Sequence, residues 1–366
     1  IQIIEPSIFL FASCIVSAIV ASAIGSSWTT VATIGVALIT IGKAIGIPVE
    51  MTAGAIISGS YFGDKISPLS DTTNLASAMA EVDLIKHIKY MLFTTVPSII
   101  ISLALFLVLG FKFSGNIDSN YINQIILQIE ESFHIGPELF ITPLIMAFLI
   151  FKKVPAFPTL FIGTILGAIT ALLFQEKAIS NVSESNILTG LIYYKVILQA
   201  MFGEINIGGD LLSSNGMYGM LNTVWLIICA MIFGGIMEKA GFLKIIANSI
   251  MTKAKSHASL VTSTAGSCMF FNLTASDQYL AIVVPGRMYK SMYKKRKLAP
   301  ENLSRTLEDT GTVTSVLIPW NTCGAYQASV LSVATISYLP FCFFNIISPL
   351  MTLLYAYAKI RIKKIS

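Results

Sequence analysis

Apolar stretches of spanning length recur along this chain, and two of them are interrupted in the same way. Segments 90–111, 155–174, 221–237 and 333–357 each carry a run of apolar residues with few charges. About 18 such residues suffice for a helix to cross hydrocarbon. The first interruption is Ser67-Pro68-Leu69-Ser70-Asp71-Thr72-Thr73-Asn74, just after Gly63-Asp64-Lys65. The second, about 250 residues later, is Ile318-Pro319-Trp320-Asn321-Thr322-Cys323-Gly324, after Glu308-Asp309-Thr310-Gly311. A helix is tolerated as broken at membrane depth only where it lines protein or a water cavity. A matched pair of breaks, one per half, points to a transporter's binding site.

Composition agrees with the pattern. The 366 residues are 55% hydrophobic and 12% charged, with a mean hydropathy of +0.77. A soluble domain carries about 25% charge, so an all-α polytopic membrane protein is expected. The five cysteines (Cys14, Cys229, Cys268, Cys323, Cys342) are scattered through apolar sequence and read as packing residues, not as a disulfide or metal set. The histidines His87, His134 and His257 fall where loops are expected, with no partner ligands at metal spacing.

Charge then sets a topology. Taking 86–89, 152–153, 239–255, 287–305 and 359–364 as one side collects 19 of the 24 basic residues. The positive-inside rule makes that side, and with it the C-terminus, cytoplasmic. The run Lys294-Lys295-Arg296-Lys297 is then a cytoplasmic loop, with no nucleic acid implied. Segments 90–111, 137–151, 155–174, 221–237, 306–331 and 333–357 cross alternately. Residues 188–205 read as an interfacial helix. Segment 258–285 is flanked by basic loops at both ends, which predicts a hairpin of two half-length helices with its tip at Asn272–Asp277.

The order of elements repeats. Pro6-Ser7-Ile8 aligns with Ala258-Ser259-Leu260, Ile47-Pro48-Val49-Glu50 with Leu298-Ala299-Pro300-Glu301, and Ser67-Pro68 with Ile318-Pro319. The predicted architecture is therefore a pair of inverted repeats, each with a re-entrant or paired-helix hairpin and a broken transmembrane helix. The first repeat is 1–111, an external connection is 112–136, and the second repeat is 137–366. About 100 residues that precede the hairpin of the second copy have no counterpart in the first, so the expectation is that an N-terminal part is absent.

Alkali cations want oxygen ligands. Asp71, Thr72, Thr73 and Asn74 at the first break and Asn321 and Thr322 at the second supply them, with Ser26, Ser27, Asn272 and Thr274 at the hairpin tips. Asp71, Thr72 and Asn74 are the expected Na+ ligands. Asp64, Asp71 and Asp277 are the expected proton- and cation-coupling carboxylates, since acids at membrane depth are functional by default. For each a structural role stands beside this: Asp64 in a salt bridge with Lys65 or at a helix end, Asp71 and Asp277 as helix caps. Glu308 and Asp309 fit helix-dipole compensation equally well. Trp28 and Trp320 read as packing or gating residues.

The stretch Gly54 to Asn74, with Ala23-Ile24-Gly25-Ser26-Ser27-Trp28-Thr29, Ala275-Ser276-Asp277-Gln278-Tyr279 and Glu308-Asp309-Thr310-Gly311-Thr312, resembles the signature of NhaC-type Na+/H+ antiporters. The resemblance extends over nearly the whole chain. It implies a multi-pass secondary transporter of the bacterial inner membrane, related to the ion transporter superfamily, whose members are often homodimers. It implies Na+ and H+ as transported ions, with Li+ a further candidate, and neither a cofactor nor an enzymatic activity. A close subgroup exchanges Na+ and protons with malate and lactate, and for a small carboxylate Lys65 is the buried cation in reach. A contrasting reading is an intramembrane aspartyl protease using Asp64 and Asp277.

Overall fold

The computed structural model describes residues 5–113, 127, 129–152, 154, 156–183, 189–206, 213–214, 216–242, 245 and 256–365. They form an all-α membrane protein, in which the strands among the described residues are one antiparallel pair, Ile205–Asn206 with Ser213–Ser214. Helices Pro6–Ile24, Ser27–Ala44, Leu84–Phe113 and Gly216–Met237 are each long and apolar enough to cross a membrane. Two bent pairs add to these: Phe161–Phe174 with Glu176–Ser183, and Thr335–Phe341 with Phe343–Tyr357. Lys153, Lys244, Lys253 and Lys255, used above to orient the chain, lie outside the described residues, as does most of 112–136.

The chain divides into two compact units. One is Asn116–Asn222, whose described part includes helices Ile141–Phe151, Ala156–Phe174, Glu176–Ser183 and Gly190–Phe202. In the last of these, Leu191 and Tyr194 are exposed. The other unit joins Ile1–Gly115 to Thr223–Ser366, and within it the same order of helices occurs twice. Elements begin at Pro6, Ser27, Val49, Asp71 and Leu84, and again at His257, Gln278, Glu301, Thr322 and Thr335. Even the terminations recur. Gly25 (φ 74) and Ser276 (φ 58) both turn the hairpin through the left-handed region, and Glu81 (φ 58) and Ser332 (φ 53) both end the second piece of a broken helix.

Two expectations need correction. The second hairpin is not made of half-length helices. His257–Thr274 and Gln278–Lys295 have 18 residues each, about 27 Å at 1.5 Å per residue, close to the hydrocarbon thickness of about 30 Å. Asn272 and Thr274 do not break the helix because their polar atoms are met inside the protein: Thr274 Oγ1 donates to Phe270 O, and Asn272 turns inward to the neighbouring broken helix. The apolar segment 333–357 is likewise not one straight helix. It bends by 58° at Cys342, whose ψ of 63° is non-helical, after a 3-10 turn containing Pro340. Its counterpart in the first repeat, Leu84–Gly110, remains one helix through Pro97.

The two copies share a core. One apolar cluster combines Phe9, Ile56, Tyr61 and Phe106 with Val313, Val316, Tyr338 and Phe344. A second combines Ala76 and Ala80 with Leu260, Ile282, Tyr289 and Leu303. Where no water drives helices together, small residues let backbones approach. Gly59 and Gly63, one turn apart in Val49–Ile66, meet the first helix so closely that a Cβ would lie 2.1 Å from Cys14 O and 2.2 Å from Ala18 O.

Two polar residues expected in loops are buried instead. His87 lies in the first turn of Leu84–Gly110, fully buried, with Nδ1 2.8 Å from Ser304 Oγ. Arg305, counted above with the loop cations, is 1% exposed, its guanidinium 4.7 Å from the centre of the Tyr90 ring.

Candidate functional site

Each hairpin tip packs on the break of its own repeat. In the first, Gly25 sits against the backbone of Leu69 and Ser70, where a Cβ would come within 2.6 Å of Leu69 Cβ. Ser26 then caps the second hairpin helix, accepting from Thr29 N, and this points Ser27 at the end of the broken helix. Ser27 donates to Asp64 Oδ2 from both its backbone N (2.9 Å) and its hydroxyl (2.7 Å). Ser70, not Asp71, caps the resumed helix. Thr73 Oγ1 donates to the carbonyl of Lys65 (3.0 Å), covering one of the free acceptors that the break exposes.

The second tip and break are joined by amides. Asn272 Nδ2 donates to Gly311 O (2.7 Å) and Thr314 Oγ1 (3.0 Å), and Asn321 Nδ2 donates to Asn272 O (3.1 Å) and Oδ1 (3.2 Å). Thr322 N donates to Ser276 O (2.9 Å), and Trp320 Nε1 donates to Leu273 O (2.8 Å). Asp277 accepts from Leu280 N as the cap of its helix.

The two broken helices meet. Lys65 Nζ pairs with Asp309 Oδ1, both fully buried, and also donates to Ser348 Oγ (3.1 Å). Thr94 donates to Asp309 Oδ2 (2.7 Å), and Thr352 donates to the same oxygen. Both oxygens of Asp309 are thus met, and Lys65 is a neutralised cation. Next to them Thr72 Oγ1 donates to Glu308 Oε1 (3.2 Å). Glu308 lies within electrostatic reach of Lys65 and Asp64. The Ser70 hydroxyl is close to Asp64, and the Thr312 hydroxyl is close to Glu308. Yet Asp64 Oδ1, Glu308 Oε2 and Thr312 Oγ1, all buried, complete no hydrogen bond. Glu308–Thr312 forms a π-helical turn, a distortion found often at functional sites.

The structure does not bring the three expected Na+ ligands together. Asp71 is exposed, accepting from Thr72 N (2.8 Å) and from the Tyr279 hydroxyl. Asn74 folds its amide back to the carbonyls of Pro68 and Ser70. Thr72 alone of the three turns inward, toward Glu308. Nor does Asp64 pair with Lys65, which is committed to Asp309. Asp64 and Asp277 are held by separate partners, Ser27 and Leu280 N, and form no carboxylate dyad.

From the sequence, dipole compensation fitted Glu308 and Asp309 as well as a functional role did, and neither stood among the expected coupling carboxylates. A signal was there: beyond Arg305 the two acids sit in a stretch whose polar residues up to the break are the hydroxyls Thr306, Thr310, Thr312, Thr314 and Ser315. All five are buried with the acids, their hydroxyls mostly returned to helix carbonyls.

Residues 59–360 match the model of the Na+/H+ antiporter family. The chain is 37% identical over 368 residues to the Na+/H+ antiporter NhaC of Alkalihalophilus pseudofirmus, covering all of this chain and 77% of that one. It is 36% identical over 358 residues to the malate-2H+/Na+-lactate antiporter of Bacillus subtilis, covering 98% and 75%. To the arginine/ornithine antiporter ArcD of Halobacterium salinarum it is 36% identical over 358 residues, covering 97% and 72%. On the extent of these matches, and with its matched pair of broken helices, the chain belongs to the Na+/H+ antiporter family.

Proposed function

We propose that the protein exchanges Na+ for H+ across the bacterial inner membrane, with its C-terminus in the cytoplasm, and that Asp64 and Glu308 hold the exchanged ions. The observation that carries the site is the pair of buried, unpartnered carboxylate oxygens, Asp64 Oδ1 and Glu308 Oε2, at the first break. Two carboxylates in a low-dielectric interior cannot both remain ionised and bare. Each is satisfied either by a proton or by a cation between them, and Lys65 supplies no spare charge because Asp309 takes it. One site that accepts either ion, but not both at once, is sufficient for antiport. Ser27, Ser70, Thr72 and Thr312 surround the two acids with the hard oxygen ligands that Na+ and Li+ require. Ion exchange of this kind needs no cofactor.

Relatives of closely similar identity bear names with different cargo, so the cargo is argued from the site. A small organic carboxylate wants an unpaired cation or open helix N-termini. Lys65, the cation in electrostatic reach of Glu308, is paired with Asp309, which favours the inorganic cation. Arg305 keeps Nε and Nη1 without a hydrogen bond but is stacked on Tyr90. The test is a pH-jump assay on vesicles from an antiporter-deficient host expressing the full chain, with Na+, Li+, K+, malate and lactate. Na+ and Li+ are expected to dissipate the proton gradient, and Glu308→Gln to abolish this. Absence of Na+-driven proton movement in the wild type sinks the function. Wild-type exchange by Glu308→Gln sinks the site.

A further inference from the structure

Away from the broken helices, an open cavity of about 500 Å3 is lined by Lys86, Lys89, Tyr90, Phe93, Arg361 and Lys363, with Ile362. It lies where the first turns of the spanning helix Leu84–Phe113 meet the C-terminal tail. The tail is fastened there. Leu298 and Lys364 form a β-bridge, Ala299 N donates to Lys363 O (3.0 Å), Asn302 Nδ2 donates to the same carbonyl (2.7 Å), and the Tyr90 hydroxyl donates to Asn302 Oδ1 (2.6 Å). The walls of the cavity are therefore built into the fold. Of its four cations, Lys363 Nζ is taken by Glu301 Oε1 and Arg361 lies 4.7 Å from the centre of the Phe93 ring. The ammonium groups of Lys86 and Lys89 meet no protein partner among the described residues.

What distinguishes this cavity from a merely basic surface is its continuation along the helix. Lys86, Lys89, Phe93, Val96 and Ile100 are spaced by three and four residues and so share one helical face. Along that face the exposed side chains change from cationic to apolar: Phe93 and Val96 are each 39% exposed and Ile100 59%. A basic pocket at the end of an exposed apolar stripe matches a molecule with an anionic head and a hydrocarbon tail. A free phosphate ion would use the pocket and leave the stripe bare.

We infer that this cavity is a binding site for an anionic phospholipid, whose phosphate is held by Lys86, Lys89 and Arg361 while an acyl chain lies along Phe93, Val96 and Ile100. The site is independent of the exchange site. Each basic residue near an anionic lipid surface contributes about fivefold in affinity. Removing two by Lys86→Ala/Lys89→Ala should weaken binding about twenty-five-fold. Both side chains are exposed, so the variant should melt in neutral detergent as the wild type does.

The test is native mass spectrometry and thermal melting of the purified full chain, titrated with phosphatidylglycerol, phosphatidylcholine or inorganic phosphate. The wild type should retain phosphatidylglycerol in preference to phosphatidylcholine and melt higher with it. Lys86→Ala/Lys89→Ala should lose that preference, and Lys294→Ala/Lys295→Ala, which removes equal charge from another exposed basic turn, should keep it. Equal lipid retention by the cavity variant overturns the site. Equal loss in the control shows a diffuse charge effect and also overturns it. The same rise in melting temperature with inorganic phosphate alone overturns the lipid assignment.

Discussion

The two breaks occupy equivalent places in the repeat and are built from opposite chemistry. At the second, neutral amides and an indole close the gap: Asn272, Asn321 and Trp320 donate to carbonyls on the facing segment. At the first, charged groups do so, and the account stays open. Asp64 Oδ2 takes two donors from Ser27, whereas Oδ1 takes none; Glu308 Oε1 takes Thr72, whereas Oε2 takes none. The physical lesson is that a broken helix can be a cross-link or a binding site. Spare acceptor capacity in a buried acid separates the two, because leaving it unmet in hydrocarbon costs several kcal/mol.

That comparison is most severely strained by removing the cation between the breaks. Lys65→Met leaves Asp309 buried without its counter-charge and should cost about 3–5 kcal/mol of stability. The pair Lys65→Met/Asp309→Asn should recover much of it. Melting temperatures in detergent measure both, and a double variant as unstable as the single would show that the ion pair is not the source. Asp64→Asn comes next. It keeps the Ser27 bonds sterically possible but removes a charge, so exchange should fall to background in the pH-jump assay while the protein still folds.

Asn321→Ala attacks the other break. Unmaking its two bonds to Asn272 should cost about 1–3 kcal/mol, seen as a lower melting temperature, with Na+ selectivity unchanged; altered ion selectivity would make the second break part of the binding site. Asp71→Asn should be milder still. Its carboxylate is exposed and bonded to Tyr279, so a reduced apparent Na+ affinity with a retained maximal rate is expected, and complete loss of exchange would return Asp71 to the centre. The smallest effect belongs to Glu81, an exposed residue of the turn after the first broken helix whose carboxyl Lys290 holds below its usual range. A lowered carboxyl contributes at neutral pH and loses its contribution as pH falls through its own range. Because the pair is exposed that contribution is small, so Glu81→Gln should lower the melting temperature only slightly at pH 7 and not at all at a pH below the carboxyl's range.

Much of this molecule was legible from residue order. Long apolar runs, prolines and clustered hydroxyls locate spans and breaks because hydrocarbon enforces them: any backbone group left unpaired at membrane depth must find a partner. The spacing between like motifs disclosed the repeat. Errors arose where a polar residue was read as a marker of exposure. Asn272 suggested a short helix and a loop, His87 and Arg305 suggested loops, and all three are buried against partners far along the chain.

The sequence by itself determined the membrane class, the doubled order of elements, both breaks and the family. Only the tertiary structure decided which acids come within electrostatic reach of each other. Asp64 and Glu308 come from different repeats, as do Lys65 and Asp309 and Thr72 and Glu308. The reason is that hydropathy and helical spacing report on one helix at a time, whereas a buried charge is assigned its role by whichever helix packs across from it.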